Sequence, residues 1–161
     1  MKKLSVLFVC TGNICRSPTA DGVLRQLIHS AQLDGKVAVD SAGTLDYHIG
    51  EPPDCRAMQH AKHRGYDLST LRARAVDPQD FQRHDLILAM DRSHLAILEQ
   101  RCPPEYKHKL HLCLDFSERA RGQEVPDPYY GGDEGFERVL DLIEDACRGL
   151  LAHMQGQLAV A

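Results

Sequence analysis

The stretch Val6–Pro18, which reads Val-Leu-Phe-Val-Cys-Thr-Gly-Asn-Ile-Cys-Arg-Ser-Pro, decides the fold. The apolar run Leu4–Val9 is rich in β-branched and aromatic residues and predicts a buried strand. Ser17 and Pro18 have the form of a helix N-cap and a first helical residue. Apolar residues then recur at helical spacing, at Ala20, Val23, Leu24, Leu27 and Ile28. The stretch therefore predicts a strand, a short loop and a helix in direct succession.

The loop between this strand and helix has the composition of an anion-binding site. Gly12 and Asn13 tolerate positive φ, so the chain can curl and turn its N–H groups toward a common centre. Helix N-termini and cations favour the thiolate form of a cysteine, which makes Cys10 a candidate nucleophile. Arg16 can hold two phosphate oxygens in a fork, and the Ser17 hydroxyl can donate to the sulfur. The expected phosphate-binding loop comprises Thr11, Gly12, Asn13, Ile14, Cys15 and Ser17.

A buried, inert cysteine before an ordinary capped helix is the alternative interpretation of Cys10. A lone cysteine five residues before an arginine would leave the two interpretations about equal. The strand before the loop, the Gly-Asn pair inside it and the helix start after it favour the catalytic one.

The composition indicates a folded globular protein and excludes some classes of partner. With 43% hydrophobic and 26% charged residues over 161 positions, the chain is predicted to form one domain, residues 1–161. The net charge of −4 argues against nonspecific nucleic-acid binding. No apolar run approaches the ~18 residues of a membrane span. Because the start of the chain resembles a core strand rather than a signal peptide, the six cysteines are expected to be reduced in the cytoplasm.

The rest of the chain alternates strand and helix signals. Further strands are predicted over Lys36–Ser41, Asp85–Met90 and Lys109–Leu114. Helices are predicted from Pro53 to Gly65, after Asp77-Pro78, from the cap Ser93 to Gln100, and from Asp133 onward. This alternation predicts an α/β fold: an open four-stranded parallel sheet with helices on both faces and the phosphate-binding loop after the first strand. Ligands of such sheets bind beyond the carboxyl ends of the strands, where Cys10 lies.

A second candidate element lies before the last helix, over residues 124–132. Cleavage of a phosphate ester leaves an oxyanion that needs a proton, and Asp127 is held stiffly between two prolines. Tyr129 and Tyr130 can form the walls of a slot for a flat leaving group. Taken alone, the segment is also typical of a Pro-Gly turn.

Together these motifs resemble the low-molecular-weight protein tyrosine phosphatases. The resemblance rests on residues 10–18, on Asp127-Pro-Tyr-Tyr-Gly131, and on Ser41-Ala-Gly and Met90-Asp91 between them. It implies a phosphocysteine intermediate on Cys10, with Asp127 first as acid and then as base toward water. It also implies that Asn13 holds the loop shape, that Ser41 supports Asn13, and that no metal or other cofactor takes part.

Two positions depart from the family pattern. Members often carry a His in the segment 69–74 that helps to tie down the loop Asn, whereas this chain has Leu71. The substrate-wall residue, often Trp, corresponds to Tyr47. With Leu71 at this position, the sequence does not show which residue takes over the support of Asn13.

The resemblance also implies a function for Cys15 and a class of partner. From the residues alone, Cys15 is equally a small apolar residue or a disulfide partner for an oxidised Cys10, and the resemblance favours the redox partner. The expected substrate is a phosphotyrosine-containing protein, with an autophosphorylated tyrosine kinase as one candidate. No nucleic-acid or membrane partner is expected, and the protein is predicted to be a monomer.

Three rival functions have weaker support. A thioredoxin-linked arsenate reductase would need relay cysteines, and Cys102 and Cys113 are poorly placed for that. A protein-arginine phosphatase has Thr at the position of Ile14, whose apolar side chain suits an aromatic ring better. A metal site on His108, His111 and Cys113 is explained equally well by a surface His and a core Cys.

Overall fold

The computed structural model describes residues 3–129 and 131–160. Four parallel strands form one open sheet in the order β2-β1-β3-β4. The strands are β1 (Leu4–Cys10), β2 (Val37–Gly43), β3 (Leu86–Ala89) and β4 (Leu110–Leu112). The predicted fold class is confirmed, and Cys10 ends the first strand at the carboxyl edge of the sheet.

Within the described residues, five α-helices cover both faces of this sheet. They are α1 (Arg16–Ser30), α2 (Cys55–His63), α3 (Asp80–Arg83), α4 (Arg92–Arg101) and α5 (Asp133–Val160), and 3₁₀ helices span Pro104–Lys109 and Cys113–Phe116. Val6 and Phe8 of β1 pack into the core beneath α1 and α5, while Leu7 and Val9 pack on the opposite face with α3 and α4. A strand buried on both faces needs apolar residues at every position, which explains the continuous apolar run. Within the described part of the chain, no helix is both long and apolar enough to cross a bilayer.

Several predicted boundaries were wrong. Helix α1 begins at Arg16, so Ser17 lies inside its first turn and is not the cap. The cap of α4 is Asp91 rather than Ser93, in a capping box with His94. Helix α2 begins at Cys55 after the cap Asp54. The carboxylates of Asp54 and Asp91 accept the backbone N–H groups that start α2 and α4. The Ser17 hydroxyl does not cap α1 and instead contacts Asn13 and Cys10.

The fourth strand is also shorter than predicted, with three residues. The Asp115 carboxylate accepts the N–H of Leu112, the last residue of the strand, at 3.1 Å. The chain then turns into the 3₁₀ helix Cys113–Phe116.

Helix α5 packs closely against that 3₁₀ helix, and Gly149 marks the contact. A Cβ added at Gly149 would lie 1.9 Å from the Phe116 carbonyl oxygen. Gly149→Ala should therefore lower the free energy of unfolding by about 1–3 kcal/mol, because the helix would have to move away from its neighbour.

Gly156 of the same helix is the matched control. A Cβ there meets nothing within 4 Å, so Gly156→Ala should raise stability by up to about 1 kcal/mol through helix propensity. Urea unfolding of both variants provides the measurement. Equal effects of the two substitutions would contradict the close packing at Gly149.

Candidate active site

The loop after β1 is held against the end of β2. The N–H of Thr44 donates to the Cys10 carbonyl at 2.9 Å, and that of Leu45 donates to the Thr11 carbonyl at 3.0 Å. Gly43 lies beneath the loop, where an added Cβ would be 2.7 Å from the Thr11 carbonyl oxygen. Only a glycine allows the two backbones to approach this closely.

Asn13 stabilises the curl of the loop. Its φ is +59°, in the left-handed region, and its side chain is buried. The amide nitrogen donates to Ser17 Oγ at 2.7 Å and to Ser41 Oγ at 3.0 Å, and the amide oxygen accepts the Arg74 N–H at 3.0 Å. These bonds satisfy both ends of the amide.

The family departure at Leu71 therefore leaves Asn13 supported. Leu71 is partly buried and packs against the larger core. The partner of the amide oxygen is the backbone N–H of Arg74, which every residue type except proline supplies. For this reason the partner of Asn13 could not be predicted from side-chain identities.

Ser17 connects Asn13 to the sulfur of Cys10. Its Oγ lies 3.0 Å from Cys10 Sγ. Oγ accepts from Asn13, and its hydrogen has two acceptors within reach, the sulfur at 3.0 Å and the Ala42 carbonyl at 3.5 Å. Both residues are buried, so this interaction is shielded from water.

Arg16 lies beside the loop, and hydrogen bonds to other parts of the chain fix its guanidinium. Nη1 donates to Asp91 Oδ2 at 2.8 Å and to the Val125 carbonyl at 3.0 Å. Nη2 lies 3.7 Å from Asp127 Oδ2. Burial disfavours the Asp91 carboxylate, but hydrogen bonds from Ser93 and Arg16 outweigh burial and lower its pKa to about 2. Asp91 therefore stays charged and orients Arg16.

Sequence reasoning gave Asp91 and His94 no role of their own. His94 is buried, its Nδ1 accepts the Asp91 N–H at 3.3 Å, and its Nε2 contacts Thr11 Oγ1 at 2.7 Å. An accepting Nδ1 places the ring proton on Nε2, which donates to Thr11. The available signal was the position of Asp91 directly after a predicted strand, at the edge where ligands bind.

A cleft of about 290 Å³ opens above the loop. Its lining residues are Cys10, Thr11, Gly12, Ile14, Cys15, Arg16, Leu45, Tyr47, His48, Asp127 and Tyr129. Tyr47 and Tyr129 are exposed at the rim, whereas Cys10 is buried. The structure thus brings most of the predicted residues together around one cleft and adds Leu45 and His48, which sequence reasoning missed. Asn13, Ser17 and Ser41 are buried and do not line it. The predicted wall residue Tyr130 lies outside the described residues.

Arg56 holds the segment that carries Asp127. Its Nη2 donates to the Tyr129 carbonyl at 2.8 Å, and its guanidinium lies 5.6 Å from the centre of the Tyr129 ring. Asp127 Oδ1 accepts the Tyr129 N–H at 3.0 Å. The Asp127 side chain stays about half exposed, so substrate can reach it from the cleft.

The cysteines and histidines considered for a redox relay or a metal site lie outside this cleft. Cys102 and Cys113 are both buried, and His111 makes an edge contact with the Phe116 ring. Across residues 3–129 and 131–160, no three His, Cys, Asp or Glu side chains cluster closely enough to hold a metal ion.

This combination of fold and site defines a class. A buried cysteine ends the first strand of an open α/β sheet, a tightly curled loop follows, and an arginine and an exposed carboxyl face the same cleft. That arrangement is typical of a phosphatase with a cysteine nucleophile.

Comparison with known proteins specifies the family. Residues 5–160 match the family model of the low molecular weight phosphotyrosine protein phosphatases. A putative low-molecular-weight protein-tyrosine-phosphatase of Synechocystis is 47% identical over 96% of this chain and 99% of its own length. The human low molecular weight phosphotyrosine protein phosphatase is 40% identical over 91% of this chain and 93% of its own length.

A solved structure gives the same result. The protein tyrosine phosphatase of Entamoeba histolytica, crystallised with Hepes in the active site, superposes with a TM-score of 0.93. It is 43% identical, and the match covers 96% of this chain and 99% of that one. The chain belongs to the low-molecular-weight protein tyrosine phosphatase family and hydrolyses phosphotyrosine in proteins.

His94 should make stability depend on pH. Burial, with a smaller effect of Arg16, lowers its pKa from 6.5 to about 4. The unfolded chain therefore takes up a proton in a range where the folded chain does not, and falling pH favours unfolding. Between pH 7.5 and 5, His94 should account for about 2 kcal/mol of lost stability.

Urea unfolding of His94→Asn at the two pH values provides the test. The variant should lose less stability than the wild type as the pH falls. His63→Asn, which changes an exposed histidine of α2, should follow the wild type. Parallel pH dependences of wild type and His94→Asn would exclude a neutral, buried His94.

Proposed function

We propose that Cys10 is the nucleophile, Arg16 the phosphate clamp and Asp127 the general acid and base of this phosphatase. The observation that carries the proposal is the position of Cys10 Sγ at the buried end of the cleft, 3.0 Å from Ser17 Oγ. Arg16 and Asp127 line the same cleft. The residues proposed as nucleophile, phosphate clamp and proton donor therefore all face one cleft.

The reaction follows in two steps. Cys10 Sγ attacks phosphorus, the bond from phosphorus to the tyrosine oxygen breaks, and Asp127 gives its proton to that oxygen. Water then attacks the phosphorus of the phosphocysteine while Asp127 takes up a proton from it. The S–P bond breaks, which regenerates the Cys10 thiolate and releases inorganic phosphate. The Ser17 hydroxyl stabilises the departing thiolate, and the loop N–H groups with Arg16 hold the equatorial oxygens in both steps.

The cleft supports selection of an aromatic substrate. Tyr47 and Tyr129 stand at its rim, with Tyr130 proposed as a further wall, and Ile14 contributes an apolar surface near the loop. A phenyl ring fits against these surfaces, whereas a phosphoarginine guanidinium would lose hydration beside Ile14. Phosphoarginine is therefore the informative control substrate.

The remaining expectations are proposed with this mechanism. Residues 1–161 form one phosphatase domain that acts as a monomer in the cytoplasm. Its physiological substrate is proposed to be an autophosphorylated tyrosine kinase, by functional analogy. The two-sided packing of a single sheet supports the domain proposal.

Two substrates separate the proposed roles of Cys10 and Asp127. Cys10→Ser should abolish turnover of both phenyl phosphate and 4-nitrophenyl phosphate but retain phosphate binding, because the loop donors remain. Asp127→Ala should slow phenyl phosphate by about a hundredfold or more, because its leaving oxygen needs a proton. The activated nitrophenyl ester should be slowed much less. Steady-state kinetics measure both effects.

Asp46 provides the control for the second role. It is an exposed carboxylate between the cleft residues Leu45 and Tyr47, and Asp46→Ala should change both rates by less than about twofold. Equal losses of Asp127→Ala on the two substrates would remove Asp127 from the acid role. Appreciable turnover by Cys10→Ser would remove Cys10 from the nucleophile role.

Cys15 is proposed as the partner that makes oxidation of Cys10 reversible. Burial, followed by the charge of Asp54, raises the pKa of Cys15 to about 12, so Cys15 remains a thiol and does not compete for peroxide. Peroxide would convert the Cys10 thiolate to a sulfenic acid. The Cys15 thiol would then attack that sulfur, releasing water and forming a disulfide.

Peroxide treatment followed by dithiothreitol tests this proposal. Wild type should recover most of its activity, and Cys15→Ala should start active but recover little. Cys55→Ala, which removes the exposed thiol of α2, should recover like the wild type. Full recovery by Cys15→Ala would leave Cys15 with a packing role only.

A further inference from the structure

Residues 73–76, here called the strap, lie between the phosphate-binding loop and the loop that carries Tyr47. The Arg74 N–H donates to Asn13 Oδ1 at 3.0 Å. The Arg74 carbonyl accepts the Gly43 N–H at 2.8 Å, and the Ala73 carbonyl accepts the Gly50 N–H at 2.8 Å. The strap therefore contacts the nucleophile side and the wall side of the cleft through its backbone.

The side chain of Arg74 fixes the strap to the body of the protein. Its Nη1 and Nη2 donate to the two oxygens of Asp80 at 2.9 and 3.0 Å. Its Nε and Nη2 donate to Asp40 Oδ2 at 3.2 and 2.9 Å. Asp80 belongs to α3 and Asp40 to β2, so the guanidinium joins three separate segments.

The burial of Asp80 makes this clamp stiff. Its side chain is fully buried, whereas that of Asp40 is 46% exposed. The Asp77 N–H also donates to Asp80 Oδ2 at 2.8 Å, and His84 Nε2 lies 3.3 Å from Oδ1. A buried carboxylate with fixed donors holds its arginine more rigidly than an exposed pair does.

We propose that Arg74 is a positioning residue for the phosphatase reaction, acting through Asn13. This inference rests on the proposed role of the loop. Among the described residues, the Arg74 N–H is the donor that reaches Asn13 Oδ1, and the opposite end of that amide donates to Ser17. A displaced strap leaves Oδ1 unpaired, which favours reorientation of the amide. Ser17 then loses the donor that aims its hydroxyl at Cys10.

Arg64 offers a matched control elsewhere in the molecule. It also contacts several carboxylates, those of Glu137, Asp141 and Glu144, and it joins α2 to α5 away from the cleft. Arg64→Met and Arg74→Met both remove a partly buried ion-pair cluster. Both should lower the melting temperature, but only Arg74→Met should change the site.

The experiment measures kcat and KM for 4-nitrophenyl phosphate and, by direct titration, the Kd of inorganic phosphate, well below the melting temperature. Arg74→Met should lower kcat/KM by about ten- to a hundredfold and weaken phosphate binding by about tenfold, because small displacements of catalytic groups carry such costs. Arg64→Met should change each constant by less than twofold. The phosphate titration does not require Cys10 chemistry, so it distinguishes failure of this proposal from failure of the nucleophile assignment.

Conservative variants complete the test. Arg74→Lys keeps the charge but loses the fork, so it should restore folding fully and activity only in part. Asp80→Asn should impair kcat and phosphate binding more than Asp40→Asn does, following the burial of the two carboxylates. If Arg74→Met fails to fold, the kcat and the phosphate affinity of Arg74→Lys provide the test. Wild-type kcat and phosphate affinity in the folded Arg74 variants would overturn the proposal.

Discussion

The side-chain amide of Asn13 is the interaction on which the geometry of the site depends. A residue other than glycine with φ of +59° adopts a conformation that is unfavourable on its own, and the buried amide makes it the stable one. Its nitrogen bonds two serine hydroxyls and its oxygen a backbone N–H. Those partners come from α1, β2 and the strap, so the loop adopts its shape only when all three are in place.

Burial of Arg16 imposes a second constraint. Removing a guanidinium from water is costly unless charged and polar partners replace the solvent. Asp91 and the Val125 carbonyl are such partners, and they leave one side of the guanidinium directed toward the cleft. The ion pair of Arg16 with Asp91 is therefore in place before a phosphate binds. A bound phosphate then supplies the hydrogen-bond acceptors that the guanidinium still lacks. Burial likewise keeps His94 neutral, and the neighbouring charge of Arg16 adds a smaller effect in the same direction.

The proposed substrate walls follow a different principle. Tyr47 and Tyr129 are exposed at the rim and belong to loops, whereas the groups that handle the phosphate are buried beside the sheet. Charge stabilisation requires fixed dipoles away from water, while recognition of an aromatic ring requires accessible apolar surface. The cleft therefore combines a rigid interior with more exposed rim residues.

Much of this protein was determined by the sequence alone. The apolar run before Cys10, the Gly-Asn pair and the alternation of strands and helices depend on local preferences and short-range spacing, so they predicted the sheet and the phosphate-binding loop but not the cleft residues Leu45 and His48. The start of α1 at Arg16 and the caps at Asp54 and Asp91 were missed, because neighbouring polar residues compete for the same donors. Three hydrogen bonds of the site join residues that are 61 to 83 positions apart in the chain. They link Arg74 to Asn13, Asp91 to Arg16, and His94 to Thr11. Only the tertiary structure decided these pairings, because a backbone donor carries no residue identity and a long-range pairing leaves no periodic signal in a single sequence.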